Sequence, residues 1–325
     1  MSEPGGIVYF RGGFVPRAEA QVPIDTHAFN YGTGCFEGIR AYWSEPRGCL
    51  LVMRLREHME RLVRSARILQ LGLDPALGPD RLAAIAVELL RRNRFREDCY
   101  LRPIVYKSGA TIKVMLDGIP TDFCAFAQPM GDYLDTRRGL QLMISAWRRI
   151  DDNAIPARAK PTGAYVNAAM ASNEARQRGF DEAIMLTGDG HVAEASSSNL
   201  FLVVDGMLVT PAATDDLLVG ITRDSVLQIA QRRGIPVEVR RVDRSELLGA
   251  DECFLCGTGV QIAPVAAIDG RMVGDGSTGP ITRAIQALYL AIVHAETDDF
   301  AEWRTAVPAP AAEALAAPQT TPTPA

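Results

Sequence analysis

The sequence predicts a mixed α/β chain, α+β in its first half, in two domains: a smaller N-terminal α/β domain and a larger, barrel-like C-terminal one. Three observations carry that expectation. Two amphipathic helices and several strands precede residue 128. After Gly179 short strands outnumber helices, the pattern of a barrel. Between these halves residues 128–138 (Gln-Pro-Met-Gly-Asp-Tyr-Leu-Asp-Thr-Arg-Arg) break the pattern and read as an interdomain connection. The expected domains are 1–127 and 139–306, with a tail at 307–325. A length of 325 residues suits two medium domains.

Taken in order, Ile7-Val-Tyr-Phe10, Arg11-Gly-Gly13 and Phe14-Val15 read as a hairpin. Residues 54–71 read as a helix, because Leu55, Met59, Leu62, Val63, Ala66 and Leu69 recur at helical spacing. His58, Arg61 and Ser65 form an adjacent stripe. A second helix spans about 79–93, with Pro79 near its start. Cys99 to Tyr106 and Asp122 to Ala127 are strands.

In the second half Leu140 to Trp147 is a strand, followed by an irregular segment to Gly163. A helix over about 164–178 ends at Gly179, suited to a left-handed cap. Strands follow at 183–187, 191–193, 199–204 and 207–210, the last pair joined by the Asp205-Gly206 turn. A helix starts near Thr222 and stops at Gly234, and a last one spans about 280–296. From Val307 to Ala325 the chain is mostly Pro, Ala and Thr, too poor in apolar bulk to offset ordering entropy, and is expected to be disordered.

Composition excludes several function classes. The net charge of −5 argues against non-specific nucleic-acid binding, which relies on neutralising phosphates. The run Arg91, Arg92, Arg94 and Arg96 suits a solvated helix C-terminus. No stretch reaches the ~20 apolar residues of a membrane span. Met1 to Gly6 carries no charged-then-apolar leader, so the cytoplasm is the expected compartment. Four dispersed histidines give no metal-ligand spacing, and no metal is expected. Cys253 and Cys256 form a CxxC within a strand, which puts them on opposite faces and unable to pair.

The candidate chemistry lies elsewhere. Lys160 sits among small residues in Ile155-Pro-Ala-Arg-Ala-Lys160-Pro-Thr-Gly-Ala-Tyr165. A partly desolvated lysine there would be a nucleophile; a surface lysine is the plain alternative. Gly220-Ile221-Thr222 opens a helix and reads either as a phosphate cradle or as a simple Thr N-cap. Gly257-Thr258-Gly259 is a second candidate cradle. Glu194, an acid between apolar strands, needs a buried partner: a protonated pyridine nitrogen or an arginine. Tyr31-Gly-Thr-Gly-Cys-Phe36-Glu-Gly-Ile-Arg40 lacks the Gly-Lys-Ser/Thr ending of a P-loop.

Jointly these segments, with Arg56-Glu-His-Met-Glu-Arg61, Tyr100-Leu-Arg102-Pro and Asn199-Leu-Phe201, resemble in order and spacing the class IV aminotransferases, closest to the branched-chain amino-acid subgroup. The resemblance runs from about residue 7 to 304. It implies a two-domain fold type IV enzyme, a homodimer or higher oligomer, using pyridoxal 5′-phosphate (PLP). Its substrates would be an amino acid and a 2-oxo acid. Lys160 would be the Schiff-base and proton-transfer residue. Glu194 would face the pyridine nitrogen. Arg61, Gly220, Ile221, Thr222 and Thr258 would hold the phosphate, with Tyr165 near O3′ and Leu218 on the ring face. Phe36, Tyr100, Arg102, Met130 and Tyr133 would line the substrate pocket, with Tyr31 reaching in from a partner subunit.

Three positions depart from the family pattern: Ser198 and Gln261 where acids are usual, and Met130 where Trp or Phe is frequent. The implied reaction is amino transfer from L-leucine, L-isoleucine or L-valine to 2-oxoglutarate. An aminotransferase of specialised metabolism with an unusual donor, a D-amino-acid or (R)-amine transaminase, and an aminodeoxychorismate lyase share the fold. A silent PLP-binding scaffold is the non-enzyme alternative, and it would have no chemical need for both Lys160 and Glu194.

Overall fold

The computed structural model describes residues 6–131 and 138–308. The N-terminal hairpin forms as read: β1 (Ile7–Phe10) and β2 (Gly13–Pro16) pair antiparallel. The glycine-rich stretch, for which periodicity offered no assignment, becomes a short helix α1 (His27–Tyr31) and strands β3 (Gly34–Phe36), β4 (Ile39–Ser44) and β5 (Cys49–Met53). Helices α2 (Leu55–Ile68) and α3 (Pro79–Asn93) follow, then β6 (Cys99–Lys107) and β7 (Thr121–Pro129). The apolar stripes of both helices, with Met59, Leu62, Leu82 and Leu89 fully enclosed, pack on this sheet as their spacing requires.

The second half comprises β8 (Leu140–Ile144), α4 (Tyr165–Gln177), β9 (Glu182–Leu186), β10 (Val192–Ala195), β11 (Asn199–Val204) and β12 (Met207–Pro211). Then come α5 (Ile221–Arg232), β13 (Val237–Arg240), β14 (Glu252–Gly257), β15 (Gln261–Ile268), β16 (Arg271–Met272), α6 (Pro280–Val293) and β17 (Arg304–Ala306). Among the described residues nine strands form one sheet in the order β10-β9-β8-β15-β14-β11-β12-β13, with β16 beside β15. Its ends curl together, since Val192 N–H donates to the Val242 carbonyl just after β13. That is the barrel-like half the strand density predicts.

Alternation along β14 places Cys253 in the cluster on one face of this sheet and Cys256 in the cluster on the other, both as free thiols. The second face stacks Phe201 on Phe254 at 5.1 Å between ring centroids and is covered by α5 and α6. Each buried phenylalanine is worth about 1.5–3 kcal/mol relative to exposure. Tyr42 and Met53 of the first sheet enter the same cluster, so the two halves share an apolar seam. Among the described residues no helix is long and apolar enough to cross a membrane.

Three boundaries differ from the sequence reading. Gln128 and Pro129 are not connection but the end of β7, paired with Tyr100 and Cys99. Residues 304–306, expected in the second domain, form β17 and pair with β5 of the first sheet. Val307, expected in the tail, packs in the N-terminal core with its N–H on the Leu50 carbonyl. All three are long-range pairings that a local pattern does not carry. The rest of the tail, from residue 309, lies outside the described residues.

Candidate active site

Lys160 belongs to the second half of the chain but is bound to the first. Phe36 N–H donates to the Lys160 carbonyl at 3.1 Å, Lys160 N–H donates to Ser65 Oγ at 3.2 Å, and Thr162 N–H donates to the Gly34 carbonyl at 2.9 Å. The lysine segment thus lies beside β3 through a single antiparallel bridge, Cys35 to Pro161. This explains the glycines of the 31–40 motif. Gly32 has φ +65°, and a Cβ there would stand 2.7 Å from Gly163 Cα. The Lys160 ammonium lies 5.2 Å from the Phe36 ring centroid and 5.3 Å from that of Tyr165, in a cavity of about 560 Å³.

The opposite wall is the start of α5. Gly220 is its N-cap, no described side chain caps its first turn, and Thr222 sits inside the helix. The reading of Thr222 as a plain N-cap therefore falls. The open N–H groups of Ile221 and Thr222 line the cavity beside the Gly257-Thr258-Gly259 turn, an arrangement able to hold an anion. A Cβ on Gly220 would collide with the Asn199 amide. That amide donates to Glu194 Oε2 at 3.0 Å and to the Leu218 carbonyl at 2.9 Å.

Arg61, buried on α2, reaches this wall through Nη1, which donates to the Val219 carbonyl at 2.8 Å. Its other edge is bidentate on Glu37, at 2.6 and 2.8 Å, and His58 Nδ1 contacts the same carboxylate at 2.8 Å. Burial acts to raise the Glu37 carboxyl, but Arg61 and His58 outweigh it and hold it well below the usual range. Burial pushes the His58 imidazole below its ordinary value, with Glu37 opposing.

Of the two partners the sequence offers Glu194, the arginine is present as Arg149. The Glu194 Oε1 lies 2.9 Å from Arg149 Nε, the structural ion pair, and accepts from Leu218 N–H at 3.3 Å, while Arg149 Nε itself donates to the Asp216 carbonyl at 3.1 Å. Glu194 also lines the cavity. Burial holds this carboxyl above its usual range, against the pull of Arg149.

Phe36, Tyr100, Arg102 and Met130, named together from the sequence, line this same cavity. The Arg102 guanidinium lies 4.2 Å over Phe36 and 5.1 Å over Tyr100, with Nη2 donating to the Tyr100 hydroxyl at 2.9 Å. A Cβ on Gly38 would collide with that hydroxyl. Met130 is held at both backbone ends, by the Asp98 carbonyl at 2.9 Å and Arg40 at 3.1 Å. Tyr165 packs on Phe36 at 4.7 Å, and Leu218 and Thr258 also line the cavity.

Tyr31 does not reach the cavity of its own chain: it is 39% exposed, with its hydroxyl on the Ile112 carbonyl. Tyr133 lies outside the described residues. Ser198 Oγ and Gln261 Oε1, at two of the departures, are buried with no described partner. Sequence reasoning missed Glu37, His58, Arg149 and Asn199. Glu37 had a signal: like Glu194, it is an acid inside an apolar stretch. Arg149, next to a second arginine, had none.

The amino-transferase class IV family pattern matches residues 34–268. A probable branched-chain-amino-acid aminotransferase of Aquifex aeolicus is 41% identical over 300 residues, covering 92% of this chain and 96% of that protein. The crystal structure of a branched-chain aminotransferase from Thermoproteus uzoniensis with norvaline superimposes with a TM-score of 0.88 at 42% identity, over 93% of this chain and 99% of that one. The PLP-form (holo-form) of a branched-chain amino acid aminotransferase from Thermobaculum terrenum gives a TM-score of 0.89 at 33% identity, over 94% of this chain and 100% of that one.

Proposed function

The chain belongs to the class IV aminotransferases, and from that premise we propose that it transfers the amino group of a branched-chain L-amino acid to 2-oxoglutarate. The observation that carries the proposal is the convergence of Lys160, Glu194, the open start of α5 and the Phe36–Tyr100–Arg102 cluster in one cavity.

The residues present fit PLP, the cofactor of this family. About 560 Å³ falls in the roughly 300–1,000 Å³ usual for small-molecule sites. The uncapped turn of α5 and the Gly257-Thr258 turn offer N–H groups to a phosphate, and a Cβ on Gly257 would press on Ser198 at 3.4 Å. When bound, PLP supplies an electron sink for negative charge developing at the substrate Cα.

In this reading Lys160 would hold the cofactor covalently and move the proton at the substrate Cα. Glu194, fixed by Asn199 and Arg149, would pair with a protonated ring nitrogen. Arg61, Gly220, Ile221, Thr222 and Thr258 would bind the phosphate. Tyr165 would offer its hydroxyl to the ring oxygen and Leu218 would lie against the ring. Phe36, Tyr100 and Met130 enclose an apolar side chain, while Arg102 offers a guanidinium to the second carboxylate of a dicarboxylic acceptor.

The active form is a homodimer. Exposed Ile24 lies just before α1, Phe29 on it, and Ile112 and Val114 on the neighbouring 110–115 segment, which His27 and Tyr31 join by hydrogen bonds to the Lys113 and Ile112 carbonyls. An exposed apolar patch of this kind suits a second copy, whose Tyr31 would then approach this cavity.

Lys160→Ala tests the reading. With L-leucine and 2-oxoglutarate the variant loses multiple-turnover activity yet keeps PLP non-covalently, since the general-base contribution alone is typically ~10²–10⁴-fold. Normal turnover in the purified variant would overturn the assignment. A panel of L-, D- and β-amino donors on the wild type then selects among class IV activities.

A further inference from the structure

We propose that Glu37 is a positioning residue for Arg61, setting which edge of its guanidinium faces the α5 phosphate cradle, with His58 anchoring Glu37 in turn. The inference rests on the reading of that cradle as the phosphate site. A guanidinium carries five N–H donors in a planar fork and can present more than one edge. Here Nε and Nη2 are both committed to Glu37, at 2.6 and 2.8 Å, which leaves the Nη1 side to meet the turn before α5. Glu37 cannot drift, because its own N–H is bound to the Pro103 carbonyl of β6 at 3.0 Å and its second oxygen meets His58 Nδ1 at 2.8 Å. All three side chains are buried at the junction of the two halves.

Stability alone is a poor reason for this cluster. A buried ion pair usually gains little over apolar side chains of the same volume, because desolvation offsets the attraction. Orientation is what such a pair supplies. Electrostatics and positioning also predict opposite signs at Glu37. If the carboxylate only neutralised Arg61, removing its charge would strengthen the hold on an anionic phosphate. If it positions Arg61, removing it frees the guanidinium to rotate and weakens that hold.

The test compares how tightly the holoenzyme retains PLP and pyridoxal, which differ only in the phosphate. The ratio of the two dissociation constants is the phosphate preference. Glu37→Gln should lower it at least tenfold through PLP, with pyridoxal affinity little changed. Glu37→Asp, which keeps the charge on a shorter arm, should lower it by a smaller factor and decides the matter if Glu37→Gln does not fold. His58→Asn, which retains a donor for Glu37, should track the wild type. Arg61→Met is the reference for loss of the phosphate contact. If Arg61→Met lost the preference while both Glu37 variants kept or increased it, the positioning role would be wrong and the cradle reading would stand. If Arg61→Met itself kept the preference, the cradle reading would fail instead.

Discussion

The Glu194 carboxylate is ion-paired with Arg149, Oε1 to Nε at 2.9 Å, and both side chains are largely enclosed in the wall of the Lys160 cavity. The same residue is therefore a structural partner and part of the cavity wall.

Glu194→Gln separates the two roles. Breaking a buried ion pair by removing one charge costs roughly 3–5 kcal/mol, so the melting temperature should fall. The amide also cannot keep a ring nitrogen protonated, so the donor half-reaction should slow by orders of magnitude, each tenfold being about 1.4 kcal/mol. Adding Arg149→Met should restore part of the stability and none of the rate. A Glu194→Gln enzyme with an unchanged half-reaction rate would leave Glu194 a structural partner only.

Arg102→Met should discriminate between substrates. The Arg102 guanidinium rests on two aromatic rings and donates only to the Tyr100 hydroxyl among described residues. Hydrogen bonds to charged groups are worth roughly 1.5–3 kcal/mol, or about 10–150-fold. That loss should appear in kcat/KM for 2-oxoglutarate, with L-leucine less affected and PLP retention unchanged. Loss of PLP with an unaltered acceptor KM would show that the role has been misassigned.

Met130→Trp probes the substrate wall. The backbone of Met130 is fixed by Asp98 and Arg40, and the residue lines the cavity. An unbranched thioether adapts to irregular side chains where an indole cannot. The variant should lose kcat/KM with phenylalanine and methionine by about 10–200-fold and change little with valine. Equal losses with every donor, together with a lower melting temperature, would point to packing instead.

The pH dependence of stability should carry the mark of His58. Its folded-state pKa is lowered by burial, with Glu37 opposing, so the native form keeps the ring neutral where the unfolded chain takes up a proton. Stability is then full above the ordinary imidazole value of about 6.5 and declines as pH falls below it. Glu37, also depressed once Arg61 and His58 have outweighed its burial, adds a second decline below the usual carboxylate range. His58→Asn should flatten the first decline in denaturant titrations across pH 7 to 5. An unaltered slope would show that other groups govern that window.

The candidate residues were legible through a resemblance carried by short segments. Lys160 among small residues, the Gly220-Ile221-Thr222 helix start and the Gly257-Thr258 turn are each short segments whose backbone geometry follows from their residues. Pro79 opens α3 and Gly179, at φ +84°, follows α4 for the same reason. Met130 and Arg102 were placed by resemblance, and both line the cavity.

The sequence by itself thus determined most element types and the two halves, since periodicity and turn chemistry act within a few residues, and its resemblance to a family singled out the candidate lysine, acid and cradle. Only the tertiary structure decided what those groups touch. Arg149 could be matched to Glu194, and Glu37 to Arg61, only once strands and helices far apart in the chain had packed together. The return of residues 304–306 to β5 and the bridge from the Lys160 segment to β3 are likewise long-range pairings, made by backbone groups that every residue carries. Backbone N–H and C=O groups are chemically alike along the chain. Which pair meets is set by how the apolar faces pack, and that is a property of the whole fold.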